Sequence, residues 1–421
     1  MIQFFKDATA VLIDYSFYYP LFMSYVWMAG GIYYYYRYER RTTPSVSQPP
    51  ALAAYPRVSI IIPCFNEGAH ARDTVNYALA QQYPDFEVIA VNDGSKDDTA
   101  AILDEMAASA ARLRVIHLVQ NQGKAVALNT AALLADSEFL VCIDGDALLD
   151  HHAVTWLMLH FGTGPRVAAV TGNPRIRNRS TLLGKIQVGE FSSIIGLIKR
   201  AQRTYGRLFT VSGVLCAFRK SALHQVGYWS SDMMTEDIDI SWKLEVNHWD
   251  VRFEPNALVW ILMPETIRGL WKQRLRWAMG GTQVLCKNFP ILKLWRKRRM
   301  WPVYLEYALS VFWAYTMLMV FVLWVLGLLV ALPPELRVGS LIPSWAGVVI
   351  GTTCLMQFFV SGRLDYRYDP QLGRNTYWMI WYPLAFWLIN VATTVVAVPR
   401  TFLREKGRRA RWVSPDRGFV K

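Results

Sequence analysis

The 421-residue sequence is poor in several features that identify common classes of protein. Its five cysteines form neither a metal-binding spacing nor an even disulfide framework, so reduced and mostly buried thiols are expected. It contains no Gly-x-Gly-x-x-Gly and no Walker pattern, which counts against a dinucleotide-binding enzyme or an ATPase. Neither of its basic clusters belongs to a recognisable nucleic-acid-binding motif, so no nucleic-acid partner is expected.

The sequence is also low in charge and rich in apolar residues. Charged residues make up 18% of the chain, whereas hydrophobic residues reach 53% and aromatic residues 14%. The formal net charge of +13 arises from basic residues concentrated beside apolar runs, at 287–299 and 400–421. This distribution predicts an integral membrane protein whose basic segments stay on the cytoplasmic face.

Four runs lack any charged residue and are long enough to cross about 30 Å of hydrocarbon as helices. These runs are 15–36, 307–332, 339–362 and 375–399. The first run is followed by arginines and has no small-residue cleavage site, so residues 1–41 are predicted to be an anchor with its N-terminus outside. A proline-containing linker is predicted at 42–56.

A full crossing by the fourth run conflicts with a hairpin formed by the second and third runs. Residues 304–362 are predicted to form a transmembrane hairpin, and a full crossing by 375–399 then places the basic tail outside, against the positive-inside rule. Trp378 and Pro383 belong to a group of interface-favouring or helix-disturbing residues in this run. An interfacial or re-entrant segment within 363–421, with a cytoplasmic tail, is therefore favoured over the alternative of a crossing.

Residues 57–263 have the pattern of an α/β domain. Short apolar, β-branched runs alternate there with helix-like stretches, and the runs occupy 58–62, 87–91, 115–118 and 139–143. The pattern predicts a doubly wound, mostly parallel sheet inserted between transmembrane helices, followed by amphipathic interface helices at 264–303. Polar motifs follow three of the strands, so they are expected to meet at one cleft.

Two of these motifs carry aspartates with alternative interpretations. Asp93 either caps the helix that begins near Lys96 or accepts a hydrogen bond from a nucleoside. Asp144 and Asp146 flank Gly145 and either belong to a surface turn or approach one divalent cation that also binds a diphosphate. Because the Asp144-Gly145-Asp146 motif directly follows an apolar strand, the interpretation as a cation site is favoured for this motif.

Two further motifs lie beyond the predicted strands. Glu236 and Asp237 either satisfy the dipole of an amphipathic helix, or Asp237 serves as a general base for an acceptor hydroxyl. The segment from Gln273 to Trp277 is either a basic interfacial stretch or a site where guanidinium groups bind a diphosphate and an indole stacks on a sugar ring.

Taken in order, the motifs resemble those of the processive inverting enzymes of glycosyltransferase family 2, and within that family the bacterial poly-β-1,6-N-acetylglucosamine synthases. The resemblance extends over nearly the whole chain. It rests on the segments Ile60 to Glu67, Val141 to Leu148, Val170 to Arg175, Gly184 to Gly189, Thr235 to Lys243 and Arg411 to Gly418.

The resemblance implies a GT-A type fold and a role for each candidate residue. It implies that Asp237 is the catalytic base and that Glu236 and Asp146 belong to the catalytic group. Asp144 and Asp146 are implied ligands of Mg²⁺ or Mn²⁺. The implied donor-binding residues are Pro63, Asn66, Glu67, Asp93, Lys124, Asp144, Gln273, Arg274 and Arg276. Asn173 and Trp277 are implied to bind the acceptor, and Trp412 is a candidate for a gating loop over the donor site.

The resemblance also implies an activity, a location and partners. The expected reaction is polymerisation of N-acetylglucosamine from UDP-GlcNAc into a β-1,6-linked biofilm exopolysaccharide, with inversion and without a covalent intermediate, and export of the growing polysaccharide. The expected location is the bacterial inner membrane, with a cytoplasmic catalytic domain. The implied partners are a small two-helix membrane subunit and cyclic di-GMP, for which an anionic lipid is the alternative ligand of the basic tail.

Two other functions remain open from the residues alone. A chitin- or hyaluronan-type synthase is the alternative within the same enzyme class, because no spacing rule reveals which acceptor hydroxyl is used. A degenerate membrane subunit for sugar binding or transport is the alternative outside it. That alternative requires loss of the metal ligands or the base, whereas Asp144, Asp146 and Asp237 are all present.

Overall fold

The computed structural model describes residues 2–40, 45–338, 344–405 and 407–410. The strands are β1 (Val58–Cys64), β2 (Phe86–Asp93), β3 (Leu113–Leu118), β4 (Phe139–Ile143), β5 (Leu148–Leu149), β6 (Val167–Ile176), β7 (Leu215–Arg219) and β8 (Asp250–Ile261). The helices of the sheet domain are α2 (Ala71–Leu79), α3 (Thr99–Ser109), α4 (Lys124–Leu134), α5 (Ala153–Phe161), α6 (Leu182–Glu190), α7 (Lys199–Tyr205), α8 (Lys220–Val226) and α9 (Glu236–Val246).

Longer helices flank the sheet domain in the chain. They are α1 (Ile2–Tyr34), α10 (Ile267–Lys287), α11 (Trp301–Leu329), α12 (Ser344–Asp365) and α14 (Tyr382–Leu403), with the short α13 (Leu372–Asn375) between the last two. Single π-helical segments follow α1 (Tyr35–Glu39) and join α6 to α7 (Phe191–Ile198). Turns of 3₁₀ helix occupy Phe289–Lys293, Trp295–Met300, Pro334–Leu336 and Thr376–Trp381.

The eight strands form one open mixed sheet in the order β3-β2-β1-β4-β7-β6-β8-β5. The pairs β1/β2, β1/β4, β2/β3 and β6/β8 are parallel. Strand β7 runs antiparallel to both of its neighbours, and β5 runs antiparallel to β8. The predicted α/β fold is therefore confirmed, but the sheet is more mixed than the prediction of a mostly parallel sheet.

The central strands are apolar along their length because both faces of the sheet are covered by helices. Alternate residues of β1 enter different cores. Ile60 and Ile62 pack on the side of α2, α3 and α5, whereas Ile61 packs with residues of α4, α8 and α9 on the other side. The register aligns Ile60 with Val88 of β2 and with Val141 of β4, so the carboxyl ends of these three strands lie together.

The five cysteines behave as the sequence predicts. Cys64, Cys142, Cys216 and Cys354 are buried, Cys286 is exposed, and all five are free thiols. No disulfide therefore constrains the fold, and the buried thiols fill space between apolar neighbours as small hydrophobic groups.

A buried ionic cluster joins the flanking helices to the sheet domain. The guanidinium of Arg200 donates to Glu39 at 2.5 Å and to Asp365 at 2.8 Å, and all three side chains are buried. Arg175 of β6 donates to the other carboxylate oxygen of Asp365 at 2.9 Å. The π-helical segment after α1, the start of α7, strand β6 and the end of α12 are thus held at one point.

Two helical stretches are long and apolar enough to cross a membrane, by length and composition. They are Trp295–Leu329, which includes α11, and Gly347–Asp365 within α12. These stretches overlap the second and third uncharged runs, from which the hairpin is predicted. The first uncharged run lies in the 33-residue helix α1 and the start of the π-helical segment that follows it. The fourth lies mostly in the Thr376–Trp381 turn and α14.

Both ends of the fourth uncharged run contact the same side of the molecule. Near its start, Met379 and Tyr382 pack with Ile186 of α6 and Leu270 of α10. Near its end, Thr401 donates to the Met279 carbonyl of α10 at 3.5 Å. Helix α14 therefore runs alongside α10 and leaves the chain close to the sheet domain again.

Candidate active site

The Asp144-Gly145-Asp146 turn leaves β4 at the carboxyl edge of the sheet and lies against the loop that follows β1. A Cβ atom at Gly145 would lie 3.0 Å from the Pro63 carbonyl oxygen and 3.1 Å from Cγ of Glu67, so glycine permits this close approach. Asp146 and Glu67 are buried, whereas Asp144 is partly exposed. The predicted residues Pro63, Glu67, Asp144 and Asp146 are therefore neighbours.

The loops after β1 and β2 are joined by hydrogen bonds at Asn66. Its side-chain oxygen accepts from the Lys96 backbone N–H at 2.8 Å, and its own N–H donates to Ser95 Oγ at 3.0 Å. Asn66 has φ +55°, a left-handed conformation that asparagine tolerates better than most residues. Asn66 thus fixes one wall of the cleft through the loop geometry.

Asp93, the last residue of β2, holds the turn that leads into α4. Its two carboxylate oxygens accept the backbone N–H groups of Gln122 at 2.7 Å and Gly123 at 2.8 Å. Burial raises the pKa of Asp93, although the two N–H donors act in the opposite direction. Asp93 does not cap the helix that was expected near Lys96. Helix α3 begins at Thr99, and the Asp93 carboxylate binds Gln122 and Gly123 instead.

Lys124 begins α4 and brings two of the predicted motifs together. Its ammonium lies 2.5 Å from Asp144 Oδ1 and 3.1 Å from Glu236 Oε1, and it donates to the Gly213 carbonyl at 3.0 Å. Burial opposes the charged form, but Asp144 and Glu236 outweigh it and raise the pKa of Lys124. Lys124 is therefore a charged ammonium that links the aspartate motif after β4 to the acidic start of α9.

The first turn of α9 contains two carboxyl groups with opposite pKa shifts. Burial raises the pKa of Asp237, and the neighbouring Glu236 charge raises it further. Burial also acts on Glu236, but the charges of Lys124 and Arg276 outweigh it and lower the pKa of Glu236. Two carboxyl groups whose pKa values shift in opposite directions suit different tasks. Glu236 suits the role of a permanent anion, and Asp237 suits the role of a group that exchanges a proton near neutral pH.

A glycine that the motif analysis did not single out positions the predicted base. The Gly213 N–H donates to Asp237 Oδ2 at 3.2 Å, while the Ile238 N–H donates to Oδ1 at 2.9 Å. A Cβ atom at Gly213 would lie 3.0 Å from Asp237 Oδ2 and 3.4 Å from the Lys124 ammonium. The sequence gives no signal for this role, because Gly213 is 24 residues from Asp237 and belongs to no motif.

Thr171 and Lys199 support the turn that contains Gly213. Thr171 Oγ1 accepts from the Ser212 N–H at 2.7 Å and from the Lys199 ammonium at 3.2 Å. Lys199 is buried, and burial lowers its pKa to about 8. Its position in an apolar, helical part of the sequence conceals this role, since only the fold brings it beside the turn.

The motif from Gln273 to Trp277 lies on α10, and its residues face different environments. Arg274 is buried and donates to Glu190 at 2.5 Å, and its guanidinium lies 4.3 Å from the centre of the Trp277 ring. Arg276 is exposed and donates to the Met234 carbonyl at 3.4 Å, close enough to Asp237 for its charge to lower the pKa of that carboxyl. Gln273 is half-buried next to Met263.

Asn173, the other predicted acceptor-binding residue, is buried in β6. Its side-chain nitrogen donates to the Pro255 carbonyl at 2.8 Å, and its oxygen accepts from Arg175 at 2.8 Å. Through Arg175 it connects to Asp365 at the end of α12. The described contacts therefore give Asn173 a structural role, and its acceptor-binding role stays a prediction.

The basic tail returns to the side of the site that contains Asp93. Arg409 donates to the side-chain oxygen of Gln122, and the Ala410 N–H donates to the Ser231 carbonyl at 2.9 Å. The Ala410 carbonyl lies against Gly123, whose N–H binds Asp93. Trp412, the predicted gating residue, lies outside the described residues, but the chain that leads to it passes over this edge of the site.

Asp144 and Asp146 are the candidate metal ligands among the described residues of the site. Within the described part of the chain, no group of three or more His, Cys, Asp or Glu side chains is arranged to hold a metal ion. Two carboxylates at a glycine turn nevertheless fit a hard cation whose other ligands come from phosphate groups and water, as is usual for Mg²⁺. The donor set is therefore compatible with Mg²⁺ or Mn²⁺ bound together with a diphosphate.

Comparison with known proteins identifies the family. Residues 56–280, more than half of the chain, match the family described as glycosyltransferase like family 2. The chain belongs to glycosyltransferase family 2. This match includes the sheet domain and most of α10, so the Gln273 to Trp277 motif belongs to the enzyme domain, and the predicted family is confirmed.

Curated relatives match over nearly the whole length of the chain. A poly-β-1,6-N-acetyl-D-glucosamine synthase from Staphylococcus epidermidis is 38% identical over 97% of this chain and 99% of its own length. The synthase of that name from Staphylococcus aureus is 37% identical over 96% of this chain and 98% of its own. The family 2 glycosyltransferase is thus similar to these synthases in its flanking helices as well as in its sheet domain.

A solved structure confirms the fold class. A mannosyltransferase from Pyrobaculum calidifontis, determined in complex with GDP-mannose and Mn²⁺, superposes with a TM-score of 0.60 over 94% of this chain and 99% of its own, at 20% sequence identity. At that identity the likeness is one of fold. The predicted GT-A type fold is therefore confirmed, although its sheet is mixed and not mostly parallel as predicted.

Proposed function

We propose that this family 2 glycosyltransferase polymerises N-acetylglucosamine from UDP-GlcNAc into a β-1,6-linked chain. The observation that carries the proposal is the near-full-length match to synthases of that name, which includes the catalytic domain and the flanking helices alike. The site supports it, since a base, a carboxylate pair and basic side chains converge at the carboxyl ends of the strands.

Asp237 is the proposed general base. Its buried position raises its pKa, which makes the carboxylate a better proton acceptor than a solvated aspartate. The acceptor hydroxyl transfers its proton to Asp237 as its oxygen attacks the anomeric carbon. The bond between that carbon and the diphosphate oxygen breaks on the opposite face, so an α-linked donor gives a β-linked product and UDP.

The donor is proposed to bind across the strand ends. Asp144 and Asp146 would hold Mg²⁺ or Mn²⁺, which neutralises negative charge on the diphosphate when bound. Lys124 provides a fixed positive charge beside the pair, at 2.5 Å from Asp144. Asp93 shapes the Gln122–Gly123 turn and contacts the nucleoside from the same edge.

Helix α10 is proposed to bind the leaving group and the acceptor. Arg276 is exposed and near the acidic turn of α9, where a guanidinium can bind a departing diphosphate. Trp277 is half-buried and presents an indole face for the terminal sugar of the acceptor. Arg274 is proposed to position Trp277, because its guanidinium is held by Glu190 and lies over the indole ring.

The tail is proposed to cover the donor site during turnover. Arg409 and Ala410 lie over the Gln122–Gly123 turn that Asp93 organises. A donor nucleoside that contacts Asp93 then requires the tail to move and to close again behind it. Trp412 is the proposed contact residue of this cover.

The membrane arrangement is proposed from the helix contacts. Helices α11 and α12 form the transmembrane hairpin, and α1 is the N-terminal anchor that packs on α7, α11 and α12. The 375–399 segment is proposed to stay at the interface, because its two ends contact α6 and α10 on the side of the catalytic domain. The tail and the catalytic domain then share the cytoplasmic side of a bacterial inner membrane.

Export across this membrane is proposed to need a second subunit. The described residues provide only two helices that meet the length and composition of a membrane span, which is few for a path that encloses a polysaccharide. A small two-helix membrane subunit would complete that path. Binding of cyclic di-GMP by the Arg-rich tail at 400–421 stays a prediction.

The proposal is tested with membranes that contain the full-length protein. Radiolabelled UDP-GlcNAc, UDP-glucose and UDP-glucuronic acid are supplied separately with Mg²⁺ or Mn²⁺, and labelled polymer is measured. Polymer is expected from UDP-GlcNAc alone. Asp237→Asn is expected to abolish polymer while UDP binding is retained, and Asp85→Asn is a matched surface control that is expected to act like the wild type. Polymer formation by Asp237→Asn at the wild-type rate contradicts the role of the base.

A further inference from the structure

A second pocket lies at the far end of α9 from Asp237. It has a volume of about 610 Å³ and is lined by four arginines, Arg166, Arg296, Arg298 and Arg299, with His248 and Trp249 beside them. We call these residues the basic pocket. Helix α9 has 11 residues, which separates the basic pocket from the catalytic turn by about 16 Å at 1.5 Å per residue. The basic pocket is therefore distinct from the donor site.

The four arginines of the basic pocket have no acidic partner among the described residues. Arg166 donates to the His248 carbonyl at 2.6 Å, and Arg298 donates to the Trp295 carbonyl at 3.4 Å, both uncharged acceptors. The nearby Asp250 is already bound to Arg203 at 3.0 Å and to Arg252 at 2.6 Å. The positive charge of the pocket is thus not neutralised by the part of the protein that the structure describes.

The like charges affect one another. The pKa of His248 is lowered by burial and then by the charges of Lys297, Arg207, Arg166 and Arg299. Such a gathering of cations is unfavourable in the absence of a counter-ion. An anion bound in the pocket would remove this repulsion, and guanidinium groups on several sides suit the oxygens of a phosphate.

The pocket also adjoins an apolar helix. Arg296, Arg298 and Arg299 belong to the Trp295–Met300 turn, which leads directly into α11 and begins the first membrane-length stretch. Trp295 is exposed, and its ring lies 5.6 Å from that of Trp301. Tryptophan beside basic residues at the start of an apolar helix is typical of the headgroup level of a membrane.

We propose that the basic pocket binds a phosphate group, and that its source is the headgroup of an anionic phospholipid. The volume exceeds that of inorganic phosphate and accommodates a headgroup with its glycerol. A soluble phosphate ester shares this chemistry and is the other source. This site would bring a membrane lipid into contact with the C-terminal end of the helix whose N-terminal turn carries Asp237.

The test uses full-length protein purified in a neutral detergent and incubated with equal amounts of phosphatidylglycerol and phosphatidylcholine. Lipid retained by the protein is counted by native mass spectrometry. The wild type is expected to retain phosphatidylglycerol selectively. The triple variant Arg296→Gln/Arg298→Gln/Arg299→Gln is expected to lose this selectivity by more than tenfold, because each arginine near an anionic surface contributes about fivefold in affinity.

A matched variant controls for total charge. Arg57→Gln/Arg72→Gln/Arg112→Gln removes the same charge from exposed positions around β1 to β3 and is expected to retain the wild-type selectivity. Arg166→Gln changes the one arginine of the basic pocket that lies outside the Trp295–Met300 turn, and it is expected to weaken retention about fivefold. This single variant tests the pocket if the triple variant does not fold. Melting temperature and elution volume verify folding of each variant.

A second arm distinguishes the two sources of phosphate. Inorganic pyrophosphate is titrated into delipidated protein by calorimetry, with the triple variant as the comparison. Lipid retention that depends on the arginines supports the headgroup, and pyrophosphate binding that depends on them without selective lipid retention supports a soluble phosphate ester. Lipid and pyrophosphate binding that are both absent, or both unchanged in the triple variant and in Arg166→Gln, overturns the proposal.

Discussion

Replacement of Lys124 by methionine is the change that most directly probes the electrostatics of the active site. The ammonium lies within 3.1 Å of both Asp144 and Glu236, and the three side chains are largely buried, with 16%, 24% and 11% of their surface exposed. Removal of one partner from a buried ion pair leaves an uncompensated charge and costs about 3 kcal/mol at the lower end of the usual range. Lys124→Met leaves two carboxylates in this condition.

Lys124→Met is therefore expected to lower the melting temperature. For a domain of about 200 residues, 3 kcal/mol corresponds to roughly 6–12 °C. Thermal unfolding of the purified protein is followed in a chelating buffer and then with Mg²⁺ and UDP. The deficit of Lys124→Met is expected to shrink with Mg²⁺ and UDP, because a cation near Asp144 replaces part of the lost positive charge.

Lys272→Met, which removes an exposed charge from α10, is the control and is expected to melt like the wild type. If Lys124→Met melts within about 1 °C of the wild type in the chelating buffer, the cluster is not held by this ammonium. A deficit that is the same with and without Mg²⁺ and UDP contradicts the placement of a cation beside Asp144.

Three further predictions concern the base and the ionic cluster. The pKa of Asp237 is raised to about 6, and the base must be ionised to act. The rate of polymer synthesis is therefore expected to fall as pH decreases through about 6. A rate that stays constant down to about pH 5 contradicts this prediction. Lys199→Met removes a positive charge that favours ionised Asp237, so the acidic limb of the pH–rate profile is expected to move to higher pH, whereas a lower rate with an unmoved limb indicates a purely structural role. Arg200→Met leaves Glu39 and Asp365 buried without their common partner and is expected to cost about 3–5 kcal/mol, measured as a lower melting temperature; an unchanged value refutes the importance of this cluster.

The sequence allowed the first half of the sheet to be predicted because local pattern and tertiary environment agree there. Apolar β-branched runs at β1, β2 and β4 are buried on both faces, and polar residues follow where each strand meets the cleft. The match at 139–143 and β4 is complete. The glycine of the Asp144-Gly145-Asp146 turn was also informative, since its close approach to Pro63 needs a residue without a side chain.

The second half of the sheet was less accessible to sequence reasoning. The antiparallel direction of β7 depends on the path of the chain between β6 and β7, which contains α6, a π-helical segment and α7. No local pattern specifies strand direction, since the side chains of β7 alternate in the same way in either orientation. The prediction of a mostly parallel sheet is therefore correct for strands β1 to β4 and wrong for the pairs that involve β7 and β5.

The partners of the site residues were likewise hidden from local pattern. The family resemblance predicts Lys124, but its simultaneous contact with Asp144, 20 residues away, and with Glu236, in a distant helix of the sequence, depends on the assembled fold. Arg274 was predicted to face the diphosphate, whereas it is buried against Glu190, 84 residues away in sequence. Such long-range pairs follow from the assembled fold, which explains why motif analysis located the residues but not their contacts.

The linkage of the polymer made by the purified protein tests the central claim most directly. Product formed from UDP-GlcNAc is permethylated, hydrolysed and analysed for the position of its glycosidic bonds, with Asp237→Asn as the blank. The account predicts internal residues substituted at O6 and a polymer that resists chitinase. A polymer linked through O4 and degraded by chitinase contradicts it and indicates a chitin-type synthase on the same fold.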